Sequence, residues 1–179
     1  MWDENIIMKL ITMRKSLSMN FKSKFLYVND DLKINSRSGL MVTLFGSTGK
    51  LGLIVSERLG KIGSDMVLPQ RFSSQYREDV EFLYLTGNTG QMYIYKKTNF
   101  NNPHQLRKLI QNSNVVVNMI GPNYNCRKLE QFEEANIHVP RRLAKLARQQ
   151  GIKWMVHFSA LGVSKDSESW DLRTKFEGE

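Results

Sequence analysis

Short apolar runs alternate along this chain with stretches in which apolar residues recur at helical spacing. Leu40 to Phe45 is a compact apolar run, and after it Leu51, Ile54, Val55, Leu59 and Ile62 fall on one helical face. Asp65 to Gln70 reads as a second strand and Gln91 to Tyr95 as a third. Pro103 to Gln111 brings Leu106, Leu109 and Ile110 together, with Pro103 suited to a first helical position, where a missing N–H costs nothing. Asn114 to Gly121 is almost continuously apolar, as a strand buried on both faces should be. Leu129 to Gln150 returns to helical spacing through Phe132, Ala135, Val139, Leu143, Leu146 and Ala147, and Gly151 stops it. Pro140 within that stretch predicts a kink or a fresh first turn. Lys153 to Ser159 is the last strand. The alternation predicts the α/β class: a doubly wound parallel sheet of about five strands with helices on both faces.

In that arrangement ligands sit beyond the carboxyl ends of the strands, where Gly46, Arg71, Asn99, Gly121 and Ser159 all fall. The first end is the most informative, because Phe45 runs directly into Gly46-Ser-Thr-Gly-Lys-Leu-Gly52. Gly46 allows a sharp turn, Gly49 lets backbone approach a pyrophosphate, and Gly52 lets the helix pack close to its strand. The unpaired N–H groups and positive dipole end of that helix then face the phosphates. An ordinary tight turn is the plain alternative; the flanking strand and helix favour a dinucleotide. NAD-selective sites hold an Asp or Glu about 20 residues beyond such a turn, for the ribose 2′-hydroxyl. Arg71 stands in that place, with Arg77 nearby. A guanidinium there pairs with the additional phosphate of NADP, so NADP(H) is favoured over NAD(H). A solvated surface arginine is the alternative.

These residues resemble the atypical, extended short-chain dehydrogenase/reductases, which are Rossmann-fold nucleotide binders. Within them the chain is similar to the nucleotide-binding accessory subunits of mitochondrial respiratory complex I. Thr43 to Gly52, Leu68 to Arg71, Ser113 to Gly121, His157 to Gly162 and Leu172 to Glu179 carry the likeness. The resemblance implies a tightly held NADP(H) of structural role, on the matrix side of the inner membrane, with other complex I subunits as partners at the junction of the peripheral and membrane arms. The cofactor-binding set it implies is Gly46, Ser47, Thr48, Gly49, Lys50, Leu51 and Gly52 around the pyrophosphate and Arg71 at the 2′-phosphate. Asn99 lies by the adenine, Lys175 by the nicotinamide ribose, and Phe100, Ile120, Gly121 and Ser159 complete it.

Two departures from that family follow. Its reductases use a Tyr-x-x-x-Lys pair, whose spacing sets both side chains on one helix face. Lys175 stands in the lysine position, but Asp171 precedes it where the tyrosine belongs. A carboxylate paired with a lysine has no proton to give at neutral pH, so no catalytic residue is expected. Asn99 replaces a common Asp, keeping an acceptor and adding a donor. The second departure is extent: the chain ends at Glu179, where the family pattern continues into a sixth strand and a substrate-side part. We therefore expect a basic extension over residues 1–38 and an incomplete nucleotide-binding domain over 39–179. Three readings stay open: a non-catalytic complex I accessory protein, an NADP-dependent reductase, or a truncated paralogue acting through protein contacts.

From Asn5 to Asn29 the chain has basic residues (Lys9, Arg14, Lys15, Lys22 and Lys24) and no acids, which resembles an amphipathic mitochondrial presequence. An unstructured basic tail is the alternative. No apolar stretch approaches the roughly 20 residues that span a bilayer. The net charge of +9 permits binding to nucleic acid or to anionic surfaces. Beyond the extension that charge is dispersed, with Lys96-Lys97 and Arg141-Arg142 as solvated doublets. Anionic lipid is thus a candidate partner, and no nucleic acid is expected. Cys126 has no partner for an internal disulfide. His104, His138 and His157 stand apart without metal-ligand spacing.

Overall fold

The computed structural model describes residues 38–71, 83, 92–122 and 125–179. The basic segment Asn5 to Asn29, Arg77 and Gln91 lie outside the described residues. The elements run β1 (Met41–Phe45), α1 (Lys50–Lys61), β2 (Asp65–Pro69), β3 (Met92–Tyr95), α2 (Pro103–Ile110), β4 (Val115–Asn118), α3 (Leu129–Glu133), a π-helical turn (Glu134–His138), α4 (Val139–Gln149), β5 (Trp154–His157) and α5 (Trp170–Gly178). All strand pairs are parallel and the order is β3-β2-β1-β4-β5. The chain therefore reverses its winding direction between β1 and β4, which opens a crevice beyond their carboxyl ends. The sheet and its class agree with the sequence pattern.

β1 and β4 lie at the centre of the sheet and are buried at every position. Their side chains alternate between two apolar layers. On one face Phe45, Phe100, Leu106, Ile110, Val116, Ile120, Val139, Leu143 and Leu146 pack beneath α2 and α4. On the other, Val42, Leu44, Met66, Leu68, Leu83, Val115 and Val117 meet Leu53, Val55 and Leu59 of α1. Thr43 places a hydroxyl in the first layer, where it donates to the Leu109 carbonyl at 3.0 Å and so loses its desolvation penalty. The start of α2 is built as its sequence predicts. Pro103 opens the helix, and Asn102 Oδ1 accepts from the N–H groups of His104 and Gln105 at 3.1 and 3.3 Å.

Pro140 falls in the first turn of α4, directly after the π turn. A proline has no N–H for the carbonyl four residues before it, and its ring crowds that carbonyl. The carbonyl in question is that of Asn136, inside the widened turn. α5 approaches it so closely that a Cβ on Gly178 would lie 2.0 Å from the Asn136 oxygen. Phe132 and Trp170 also meet edge to face at 6.1 Å. Thus the helix break predicted at Pro140 is where α5 docks.

Candidate nucleotide site

The glycine turn is shaped by two glycines that the chain itself requires and one that it does not. Gly46 has φ +85, and a Cβ there would lie 2.8 Å from the carbonyl carbon of Met119. A Cβ on Gly52 would lie 2.1 Å from the Gly46 oxygen and 2.7 Å from Ser47 Cα. The sequence reading placed Gly52 against its strand; the closest approach is to the turn that follows the strand, at Gly46 and Ser47. Gly49 differs. Its φ of −75 suits any residue, and its Cβ would meet only the Gly46 oxygen at 3.4 Å, an ordinary contact. Gly49 is exposed and caps α1 without any side-chain hydrogen bond, and the first turn of α1 has no acid. The N–H groups that open the helix are thus free for an anion, and a side chain at Gly49 would stand over them. These residues fit a pyrophosphate.

The other site residues divide by exposure. Ser47 is buried, with its hydroxyl closed to solvent and unpartnered, so its backbone rather than its side chain can serve a ligand. Thr48 and Leu51 are half-buried and Lys50 is exposed. Arg71 is exposed beyond β2, with its guanidinium 5.6 Å from the centre of the Phe100 ring. Phe100 is buried and meets Phe45 edge to face at 5.7 Å, so the core holds the ring on which Arg71 rests. Asn99 is exposed, but its Oδ1 already accepts from the Asn101 N–H at 2.9 Å, leaving its amide N–H groups as the donors it can offer. Ile120 is buried, Gly121 half-buried and Ser159 exposed.

At the far side of the crevice Lys175 Nζ lies 3.1 Å from Asp171 Oδ2, the pairing that the spacing predicted. Sequence reasoning missed what surrounds that pair. Asn136 is buried in the π turn, and its Nδ2 donates to Asp171 Oδ1 and to Thr174 Oγ1, each at 2.9 Å. Thr174 in turn donates to the Trp170 carbonyl at 2.7 Å. A second missed pair joins the ends of β4 and β5. Asn118 Nδ2 donates to His157 Nδ1 at 3.0 Å, while Asn118 Oδ1 accepts from the Ile120 N–H at 3.2 Å. The neutral ring then has its proton on Nε2, which is shut from solvent and unpartnered. Burial lowers the His157 pKa; Glu179 opposes that shift, and Lys175 adds to it. Asn118 was legible as a polar residue closing a valine run, and Asn136 as the residue four before a proline.

Among the described residues no group of His, Cys, Asp and Glu could hold a metal ion. No described helix is long and apolar enough to cross a membrane.

Residues 42–175 match the model of the NAD dependent epimerase/dehydratase family. The chain is 35% identical over 145 residues to the mouse NADH dehydrogenase [ubiquinone] 1 alpha subcomplex subunit 9, mitochondrial, covering 81% of this chain and 37% of that one. The Arabidopsis thaliana protein of the same name is 35% identical over 142 residues, covering 79% and 34%. The chain thus spans well under half the length of these relatives. Among solved structures it resembles a UDP-glucuronic acid 4-epimerase from Bacillus cereus in complex with NAD, with a TM-score of 0.63 at 17% identity, covering 78% of this chain and 49% of that one. It also resembles an actinorhodin polyketide ketoreductase with NADPH, with a TM-score of 0.61 at 17% identity, covering 77% and 60%.

Proposed function

The chain belongs to the NAD dependent epimerase/dehydratase family, and we propose that it binds NADP(H) as a structural ligand, without turning it over, as an accessory protein of mitochondrial respiratory complex I. The mouse and Arabidopsis relatives, named as subunits of the ubiquinone-linked NADH dehydrogenase and as mitochondrial, support the placement. In this reading the chain lies peripherally on the matrix side of the inner membrane, at the junction of the two arms. Other subunits are its partners there, and anionic lipid is a further one. The turn Gly46–Gly52 receives the pyrophosphate and Arg71 the 2′-phosphate. Asn99 and Phe100 flank the adenosine, while Ile120, Gly121, Ser159 and Lys175 lie toward the nicotinamide.

One observation carries the non-catalytic assignment. Asp171, four residues before Lys175, accepts from Lys175 on one oxygen and from Asn136 on the other. A carboxylate held by two donors is an acceptor only, and offers no proton to a carbonyl oxygen. General acid catalysis commonly supplies roughly 10²–10⁴ in rate, so its loss alone would leave carbonyl reduction slow. The test is to saturate the protein with NADPH and add a panel of aldehydes, ketones and quinones, following nicotinamide absorbance. Retained NADPH with no turnover is expected. Robust turnover would put an NADP-dependent reductase first, and failure to retain any dinucleotide would favour a paralogue acting through protein contacts.

A further inference from the structure

We propose that the outer surfaces of α2 and α4 together form a docking face for an anionic phospholipid membrane, which deepens the membrane-side placement above and rests on it. The fold gathers charge that reads as dispersed along the chain. Neither helix contains an acid, and no Asp or Glu occurs from Met92 to Leu129 or from Ala135 to Lys165. α2 and α4 cover the same apolar layer of the sheet. Arg107 donates to Gln149 across them at 3.3 Å, and Arg142 donates at 2.8 Å to Asn101, just ahead of α2. Leu106, Leu109 and Ile110 of α2 and Val139, Leu143 and Leu146 of α4 are buried, which turns the opposite side of each helix outward. Arg107 and Lys108 are exposed on α2, and Arg141, Lys145 and Arg148 on α4. The last three recur at i, i+4 and i+7 and so share one helical face. None of the five is ion-paired among the described residues. The doublet Arg141-Arg142 divides: Arg142 turns aside to Glu134 and Asn101, and Arg141 faces outward.

The chemistry of this face selects among polyanions. Neither helix contains Phe, Tyr or Trp, and Pro103 and Ala144 are the only exposed apolar residues on them. A protein partner would need buried aromatic or aliphatic anchors at the centre of its contact, where lysine is depleted. Single-stranded RNA would be held by bases stacked on aromatic rings. An anionic lipid surface asks for neither. It attracts basic side chains through its own potential, without a fixed shape to match, and each Lys or Arg brought near it strengthens binding about fivefold. With no exposed apolar stripe the face adsorbs to headgroups and does not insert. The nucleotide crevice lies beyond the carboxyl ends of the strands, away from the outer sides of these helices, so both can be occupied at once.

Cosedimentation of the whole chain with vesicles tests this, comparing pure phosphatidylcholine with an equal mixture of phosphatidylcholine and phosphatidylglycerol. Wild type should bind only the anionic vesicles and leave them as salt is raised. The triple variant Arg141→Gln, Lys145→Gln, Arg148→Gln should weaken that binding by about a hundredfold, at about fivefold per charge. Its circular dichroism and NADPH affinity should match wild type. Neutralising Lys9, Arg14 and Lys15 in the basic extension should cost less than the triple variant does. Wild-type vesicle binding by the triple variant, a loss confined to the extension variant, or equal binding to neutral vesicles would each overturn the proposal. Tighter binding to duplex RNA than to the anionic vesicles, lost in the same triple variant, would overturn it too and give the face to nucleic acid. Reporter import decides the mitochondrial placement and NADPH titration the cofactor, so each of those readings can fail separately from this one.

Discussion

Replacing Gly52 by alanine should damage the fold, whereas the same change at Gly49 should spare it. The alanine Cβ at Gly52 would lie 2.1 Å from the Gly46 oxygen, against 3.4 Å for the corresponding contact at Gly49. Restoring that ordinary spacing means moving α1 and the turn apart by the difference, 3.4 − 2.1 = 1.3 Å. Neither backbone can yield easily. Gly46 itself is wedged 2.8 Å from the Met119 backbone by the same measure, and α1 packs Leu53, Val55 and Leu59 onto the sheet. Overpacking commonly costs about 1–3 kcal/mol, and a clash between backbones belongs at the upper end. Alanine is favoured over glycine inside a helix by about 1 kcal/mol, which leaves a net loss near 2 kcal/mol. For a domain of this size that lowers Tm by roughly 4–8 °C. Gly49 has an extended φ, so Gly49→Ala should stay within about 0.5 kcal/mol of wild type. Urea unfolding followed by far-ultraviolet circular dichroism measures both. Wild-type stability in Gly52→Ala, or equal losses in the two variants, would refute the division of labour between these glycines.

Arg71→Ala should weaken NADPH more than NADH, by about 1.5–3 kcal/mol or roughly tenfold to a hundredfold, and equal losses in parallel titrations would end the 2′-phosphate assignment. His157 has its pKa lowered below 6.5 by burial, so the unfolded chain binds its proton first as pH falls. The stability it contributes is fully present above pH 6.5 and is lost as pH drops through the folded value. His157→Gln should therefore show a shallower decline in unfolding free energy between about pH 7.5 and 5 than wild type does; identical slopes would contradict the assignment. A fusion of about the first 40 residues to a fluorescent reporter should enter mitochondria, as amphipathic basic presequences do, and cytosolic fluorescence would remove the localisation proposal.

What was readable from the residues is what depends on neighbours along the chain. The apolar runs marked β1 and β4, because a strand covered on both faces needs no polar alternation. The Asp171–Lys175 pair was readable because four residues is one helical turn. Asn118 to His157 and Asn136 to Asp171 were not, since each joins residues more than thirty positions apart. Only the order of strands brings the ends of β4 and β5 together, and only the docking of α5 brings Asp171 to the π turn. Gly178 shows the same limit. Its close approach to the Asn136 carbonyl, far away in sequence, is what forbids a side chain there.

The π turn makes the stretch from Leu129 to Gln149 two helices out of phase rather than one. A π turn takes in one residue more than an α turn, and one residue of an α-helix is about 100° of rotation. The faces before Pro140 and after it therefore cannot be drawn on a single wheel. Val139, Leu143 and Leu146 address the sheet, while Phe132 and Asn136 are turned to meet Trp170 and Asp171 of α5. Deleting one residue between Glu134 and His138 would cancel that offset, and inserting one would double it, with little change in hydrophobicity. Either change would uncouple α5 from the sheet while leaving each helix intact, so the register of this turn, more than any side chain in it, holds the crevice wall in place.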